Sequence, residues 1–243
     1  MASVEEVAGK LDYTRFAPER LTVLFGAFGS GKTEIAVNLA IGFAESLKGV
    51  SLVDIDVVKP MFRSRDIRAK VRAAGVRMVD TIAGLENADL PIVTGEVDAL
   101  VSGGGKTVVD VGGDHLGARA LGRYAGRISR GYDALYVINT RRPFSSNTGE
   151  IMKMMGMVEG ASRLKTTGII ANTNLGTESS LELAVEGLAA ARQVSQESGV
   201  PVRFIAIYER LEAENPGLLR RVEDETGLPV LPLKRYLLKP WEE

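Results

Sequence analysis

The chain has 243 residues, with no cysteine, one histidine and 30 Lys and Arg against 31 Asp and Glu. Its composition, 45% hydrophobic and 25% charged, is typical of a folded globular protein and excludes extended disorder. Without cysteine, disulfides, thiolate zinc sites and cysteine-ligated iron–sulfur clusters are excluded, so any metal is expected to be Mg²⁺ held by oxygen ligands.

The sequence carries no apolar run of the length that a membrane span needs. The first ten residues include Glu5 and Glu6 and lack the apolar core of a signal peptide. We therefore expect a cytoplasmic protein without a membrane span.

Short apolar runs alternate with longer helical patterns along the chain, and they predict seven strands and seven helices. The predicted strands are Leu21–Phe25, Val50–Asp54, Thr107–Val111, Ala134–Asn139, Gly168–Ala171, Val202–Ile207 and Val230–Leu233. The predicted helices are Thr33–Ser46, Ser64–Ala74, Ala88–Val101, Gly117–Ser129, Ser146–Val158, Ser179–Glu197 and Pro216–Glu225. This alternation predicts an α/β fold, a mostly parallel, doubly wound sheet with helices on both faces.

The first predicted strand leads into a segment that fits G-x-x-x-x-G-K-[ST], and a helix follows. We expect its backbone N–H groups and the helix N-terminus to cradle phosphate oxygens, with Lys32 on the β/γ oxygens and Thr33 on Mg²⁺. A chance Gly-rich turn is the alternative, but strand, loop and helix are all present. The expected nucleotide contacts here are Gly26, Gly29, Ser30, Gly31, Lys32, Thr33 and Glu34.

The second and third predicted strands end in aspartates, where the acids that serve a bound Mg²⁺-nucleotide are required. We expect Asp110 to be the outer Mg²⁺ ligand, and Asp56 to orient the attacking water and contribute to the metal site. Gly113 resembles the glycine of D-x-x-G switches, whose amide senses a γ-phosphate. The alternative for Asp54 and Asp56 is that they end a strand or cap a helix.

These motifs together resemble the MinD/ParA and cobyrinic-acid diamide synthase class of nucleotidases, in the SIMIBI branch of P-loop proteins. The segments that carry the resemblance are Gly26–Thr33, Val53–Asp56, Val109–Gly113 and Gly168–Asn174. The resemblance spans residues 21–233 and implies that Asp56 matches the water-orienting aspartate of switch I. Most members carry an extra lysine, which reaches the partner subunit's nucleotide, where this chain has Ala27. The usual cross-subunit lysine contact is therefore not expected.

The resemblance also predicts the base site. Members use an asparagine after the fifth predicted strand to hydrogen-bond adenine, and Asn172 holds that place. Guanine-specific proteins present N-K-x-D instead, a string that this sequence lacks, so ATP is expected rather than GTP. The turn Leu231–Lys234, which includes Pro232, is expected to lie beside the base and to contact it through its backbone. The alternative for Asn172 is a plain turn former.

We therefore expect an ATP-binding protein, with Mg²⁺, that acts as an ATPase switch on an unidentified protein or forms an ATP-dependent homodimer. It is expected to be one domain: an extension over 1–20, a nucleotide-binding core over 21–233 and a tail over 234–243. One alternative is an ATP-dependent kinase, ligase or amide synthase with an acceptor site in 81–94. Another is a non-hydrolysing nucleotide-binding module.

A basic stretch between Lys59 and Arg77 is the remaining feature of the sequence. It suits either an anionic partner or the solvated face of a helix. Few aromatic residues are interleaved with these charges, so nucleic acid is not expected to be the partner.

Overall fold

The computed structural model of the protein describes residues 11–55, 65–80, 97, 100, 103–113, 115–128 and 131–237. Within these ranges eight strands form one sheet in the order β3-β2-β4-β1-β5-β6-β7-β8, and every neighbouring pair is parallel. The strands are β1 Leu21–Gly26, β2 Ser51–Ile55, β3 Arg77–Asp80, β4 Thr107–Val111, β5 Tyr132–Ile138, β6 Gly168–Ala171, β7 Val202–Tyr208 and β8 Val230–Leu233. The predicted α/β fold is confirmed.

Seven helices accompany the described strands. They are α1 Lys32–Ala44, α2 Arg65–Ala73, α3 His115–Gly122, α4 Thr148–Ser162, α5 Leu181–Ser198, α6 Arg210–Glu214 and α7 Leu218–Thr226. Side-chain caps fix where the two longest begin: Asn147 Oδ1 accepts from the N–H of Glu150 at 2.9 Å, and Ser180 Oγ from that of Leu183 at 3.3 Å. Each cap satisfies a backbone N–H that has no partner within the helix.

Helices cover both faces of the sheet. On one face, α1 and α2 pack against alternate strand residues with Ile35, Leu39, Phe43, Ile67 and Val71. On the other face, α3, α4, α5 and α7 pack with Leu121, Ile151, Met155, Leu188 and Val222. Burial on both faces explains why the central strands read as continuous apolar runs rather than as alternating ones.

The segments before β1 and after β8 both pack on the face of the sheet that α1 covers. Phe16 is 1% exposed and sets its ring edge against Phe204, with ring centroids 5.1 Å apart. Tyr13 lies so close to Gly42 of α1 that a Cβ there would collide with its ring. Tyr236 and Leu237 pack on the same apolar cluster. The described parts of the predicted extension and tail therefore lie against α1.

Three features of the fold differ from the prediction. The edge strand β3 was not predicted, because only Met78 and Val79 are apolar within it. The five-residue helix α6 was also missed. Helix α3 ends at Gly122 instead of continuing toward 129. At Gly122 the chain approaches α4 so closely that a Cβ would lie 2.5 Å from Ala161 O. The predicted helix over 88–101 lies outside the described residues, except 97 and 100.

None of the described helices combines the length and the apolar character that crossing a membrane requires.

Candidate functional site

The loop between β1 and α1 has a backbone that only glycine adopts easily at three positions. Gly26, Gly29 and Gly31 have positive φ angles of 147°, 74° and 93°. A Cβ at Gly26 would lie 2.5 Å from Val137 O and 2.8 Å from Ser30 Oγ. The first glycine of the motif is therefore required by close packing as well as by backbone conformation.

Lys32 and Ser30 place buried polar atoms in this loop. Lys32, 6% exposed, extends across the loop and donates from Nζ to Ala27 O at 3.0 Å. Ser30 Oγ is buried and makes no hydrogen bond to any described residue. A buried hydroxyl of this kind normally has a partner, so the loop fits an anion that would accept from it.

A hydrogen bond joins the loop to the end of β4. Thr33 Oγ1 donates to Asp110 Oδ2 at 2.5 Å, and Asp110 is 1% exposed. The donated proton leaves the lone pairs of the hydroxyl available to a cation. The structure thus brings together two of the three residues that the sequence assigned to Mg²⁺, Thr33 and Asp110.

A second aspartate stands beside this pair. Asp54 of β2 is directly in register with Asp110 of β4, and it is 2% exposed. The residues on either side of each aspartate belong to the apolar cluster on the face away from α1. Because side chains alternate along a strand, both aspartates face α1. Among the described residues no group of three His, Asp or Glu is arranged to hold a metal alone. A Mg²⁺ ion here would take Thr33 and complete its octahedron with phosphate oxygens and water, as Mg²⁺ usually does.

The turn after β4 touches the phosphate loop. A Cβ on Gly113 would lie 2.7 Å from Phe28 N and 2.8 Å from Phe28 Cα, so this turn packs backbone against backbone. The two segments therefore lie directly against each other, and the role of the Gly113 amide in sensing a γ-phosphate stays a prediction. Asp56, the predicted water-orienting residue, lies outside the described residues.

A cavity of about 220 Å³ opens beside the loop, at the carboxyl ends of the strands. Its walls come from the loop, the start of α1 and the segments that follow β5, β6, β7 and β8. The residues that line it are Gly29, Gly31, Glu34, Asn139, Arg142, Asn172, Asn174, Leu175, Gly176, Ser179, Tyr208, Leu233, Arg235 and Leu237. This is the side of the loop away from Asp110, where a nucleoside would lie if the phosphates filled the loop.

Asn172 is 2% exposed and is part of an amide network at one end of this cavity. Its Nδ2 donates to Ser30 O at 2.7 Å, and its Oδ1 accepts from Asn174 Nδ2 at 2.6 Å. Asn174 in turn donates to Ala206 O and accepts from Tyr208 N. Asn172 therefore ties the phosphate loop to β6, and its contact with adenine stays a prediction that rests on its remaining N–H and lone pair.

The segment Lys234–Leu237, which we call the C-terminal strap, forms another wall. Asn38 of α1 holds its first residue twice: Lys234 N donates to Asn38 Oδ1 at 2.9 Å, and Asn38 Nδ2 donates to Lys234 O at 2.8 Å. The guanidinium of Arg235 then lies over Gly176, where a Cβ would be 3.3 Å from its Cζ. Of the strap, Lys234 belongs to the turn that is expected beside the base, whereas residues 235–237 were not predicted as part of the site.

Glu34 holds the other end of the strap. Its carboxylate accepts hydrogen bonds from the backbone N–H groups of Tyr236 and Leu237. Burial raises the pKa of Glu34 above its ordinary value, although those two N–H groups and the charge of Arg235 act in the opposite direction. Glu34 thus lines the predicted nucleotide site, but its carboxylate is committed to the strap.

Pro232 lies elsewhere. It pairs with Ile207 between β7 and β8 and lines a different cavity, shared with Tyr208 and Glu209. The neighbouring Leu233 lines the cavity beside the loop instead. The expected contact of Pro232 with the base stays a prediction, and Leu233 is placed better for it.

Arg142 is a residue of the site to which the sequence analysis gave no role. It follows β5, lines the cavity, and passes over Gly29, where a Cβ would lie 3.5 Å from Arg142 Cδ. Only its charge and its place after a strand could have suggested it, and neither distinguishes it from Arg141.

No family model matches the sequence, and no curated protein matches it either. Among solved structures, the chain is 22% identical to the signal recognition particle 54 kDa protein of Aeropyrum pernix K1 in complex with GDP, with a TM-score of 0.51 over 81% of this chain and 44% of that one. A nucleotide-binding protein of Archaeoglobus fulgidus in complex with ADP is 14% identical, with a TM-score of 0.51 over 80% and 84%. FtsY of Thermotoga maritima is 20% identical, with a TM-score of 0.49 over 77% and 61%.

The two likenesses with a TM-score of 0.51 show the fold, which the chain shares with proteins solved with a bound nucleotide. The chain spans 44% of the signal recognition particle protein and 61% of FtsY. The assignment to the SIMIBI class, and within it to the MinD/ParA group, stays a prediction.

Proposed function

We propose that this chain binds ATP with Mg²⁺ in the loop between β1 and α1, hydrolyses it slowly, and acts as a nucleotide-controlled switch on another protein. The observation that carries the proposal is the hydrogen bond from Thr33 Oγ1 to Asp110, beside a glycine-rich loop with positive φ angles. A chance Gly-rich turn would have no reason to bring a buried carboxylate to the first turn of the following helix.

The residues of the site have separate proposed roles: holding Mg²⁺, neutralising the phosphate charge and orienting the attacking water. Bound Mg²⁺ would neutralise phosphate oxygens, and Thr33, held by Asp110, supplies the protein's oxygen for it. Lys32 supplies a positive charge within the loop, and the N-terminus of α1 adds its dipole. Asp56 remains the proposed residue that orients the attacking water, with Asp54 beside Asp110 as a further buried acid.

Adenine is the proposed base because of what the cavity offers. Among the described residues that line it, Glu34 is the one carboxylate, and it is engaged by the strap. A guanine would therefore find no carboxylate for its N–H groups. The solved chains in complex with GDP and with ADP show that this fold accommodates either base, so the preference depends on the cavity of this chain.

A docking partner is proposed at the loop end of the sheet, by which we mean the carboxyl ends of its strands, where the phosphate loop lies. Three large apolar side chains are exposed there: Phe28 in the loop at 55%, Leu116 at the start of α3 at 42%, and Phe144 after β5 at 62%. Exposed apolar groups around a functional loop are typical of interaction surfaces. Because Gly113 touches Phe28, a nucleotide that orders the turn would also alter this surface.

Phosphate release from Mg·ATP and Mg·GTP without additives tests the proposal. We expect a slow turnover with ATP, on the order of 10⁻⁴–10⁻² s⁻¹, as in unstimulated switch NTPases. The Thr33→Ala variant should lose it, and Ser46→Ala, which removes an exposed hydroxyl just beyond α1, should keep it. Tight binding without turnover would replace the switch by a non-hydrolysing module, and stimulation by a small metabolite would replace it by a transferase or ligase.

A further inference from the structure

The loop after β5 places one arginine against the phosphate loop. Arg142 extends over Gly29, where a Cβ would lie 3.5 Å from its Cδ and 3.6 Å from its Nε. An added Cβ would thus meet the arginine in ordinary van der Waals contact. The side chain of a residue in the β5–α4 connection therefore lies beside the backbone of the phosphate loop.

The side chain of Arg142 has a buried donor that nothing in the described part of the chain uses. Its Nε is shielded from solvent and makes no hydrogen bond to a described residue. The adjacent Arg141 is different, because it is exposed and pairs with Glu186. A buried guanidinium nitrogen without a partner is costly unless an anion supplies one.

The backbone around Arg142 is held in one conformation. Asn139, 1% exposed, accepts from Arg142 N through its carbonyl at 3.1 Å, and its side chain donates to Asn174 O at 3.0 Å. Phe144 has a φ of 61°, which is rare for a bulky side chain, and buried Ser145 donates from its N–H to Arg142 O. A strained residue persists only where its surroundings fix it, which indicates that the position of Arg142 is determined by the fold.

The distance of Arg142 from the candidate metal site at Thr33 and Asp110 indicates which part of a bound nucleotide it would contact. Arg142 lines the cavity with Gly29, Gly31 and Asn172, whereas Thr33 and Asp110 do not line it. We infer that Arg142 is a nucleotide-binding residue that contacts the inner phosphates, those nearest the nucleoside, which di- and triphosphates share. This inference rests on the proposed function and adds a ligand that the P-loop motif does not contain.

Calorimetric titration with ADP, ATP and adenosine tests the inference on wild type, Arg142→Ala, Arg142→Lys and the control Arg141→Ala. We expect Arg142→Ala to weaken ADP and ATP by the same factor, about ten- to a hundredfold, as for a lost hydrogen bond to a charged group. Adenosine should bind as in wild type. Arg142→Lys should be intermediate, because an ammonium keeps the charge without the planar fork. Arg141→Ala should stay within about twofold of wild type, since an exposed ion pair contributes little.

Three results would overturn the inference: equal ADP affinity in Arg142→Ala and Arg141→Ala, a loss confined to ATP, or an equal loss for adenosine. Melting temperatures measured without nucleotide show whether each variant is folded, and Arg142→Lys keeps the test decisive if the alanine variant is not. Wild type that binds none of the three ligands would refute the proposed function itself. Wild type that binds them while Arg142→Ala is unaffected would refute only the role of Arg142.

Discussion

At the scale of single residues, the contact between Thr33 and Asp110 defines the candidate metal site. The carboxylate is almost completely buried, and its hydrogen bond to a hydroxyl is of the charge-assisted kind. Such a bond fixes the rotamer of Thr33 and orients its free lone pairs. A group with that geometry is prepared for a cation before the cation arrives, which lowers the cost of ordering on binding.

Replacing Asp110 by asparagine should expose this role. We expect Asp110→Asn to raise the Kd of Mg·ATP by about tenfold or more, with little change for ATP in EDTA, because only the metal-dependent part of binding is lost. Asp56→Asn should instead leave binding nearly intact and slow hydrolysis, since an acid that acts on the attacking water matters mainly in the transition state. Titrations with and without Mg²⁺ would contradict this division if both variants lost binding equally.

The predictability of the site residues differs for physical reasons. The pairing of Thr33 with Asp110 was predictable, because each belongs to a motif that ends or follows a strand. The alignment of Asp54 with Asp110 depends on the register of β2 and β4, which sequence does not reveal. Arg142 could not be predicted either, because its place over Gly29 depends on how an irregular loop folds.

At the scale of elements, helix α1 joins the phosphate loop to the C-terminal strap. Glu34 and Asn38 are one turn apart and lie on the same face of the helix, so both reach the strap. The first turn of α1 faces the loop, and the strap carries Arg235 and Leu237 into the cavity wall. A single helix thus positions both the loop that we propose for the phosphates and the cavity wall that we propose for the nucleoside.

Truncating Asn38 should release the strap and weaken nucleoside binding. Asn38→Ala removes both hydrogen bonds to Lys234, and we expect roughly 1–3 kcal/mol of lost stability, with faster tryptic cleavage at Lys234 and Arg235. Adenosine should bind more weakly, although Asn38 does not line the cavity. Asn147→Ala is the matched control, because it removes the cap of α4 at similar cost. Equal cleavage rates in the two variants would show that Asn38 does not hold the strap.

The elements that the sequence predicted are those whose pattern of apolar residues reflects which of their faces are buried. Strands covered on both faces, such as β4 and β5, are mostly apolar runs, broken by Asp110 and Asp133, and were placed to within two residues. Edge strand β3 was missed because it has only four residues, and Arg77 and Asp80 flank its two apolar ones. The strap has no periodic pattern, since side chains of α1 hold its backbone, and so the place of residues 235–237 in the site was not predicted.

At the scale of the whole molecule, the parallel sheet explains why the site forms where it does. Every described strand points the same way, so the phosphate loop, Asp110, Arg142, Asn172 and the strap converge at one edge. The described part of the basic stretch is an ordinary amphipathic helix. Ile67 and Val71 are buried against the sheet, while Lys70 and Arg72 are exposed to solvent. We therefore propose the loop end of the sheet as the partner surface.

A homodimer across the loop end of the sheet is the proposed assembly, with docking on another protein as the alternative. Light scattering of Asp56→Asn with ATP, with ADP and without nucleotide should show a dimer mass with ATP only, because the variant is expected to retain the triphosphate. Exposed Phe28 and Phe144 would be covered in that dimer. The same monomer mass under all three conditions would eliminate the homodimer and leave the other protein.

The central claim is that Mg·ATP binds in the loop between β1 and α1, and thermal unfolding with and without Mg·ATP tests it most directly. A ligand at a hundredfold excess over its Kd adds about 2.7 kcal/mol, which raises the melting temperature of a chain of this size by roughly 5–10 °C. We predict that rise for wild type and for Lys48→Ala, which removes an exposed lysine beyond α1, and no rise for Lys32→Ala. A rise of the same size in Lys32→Ala would contradict the claim.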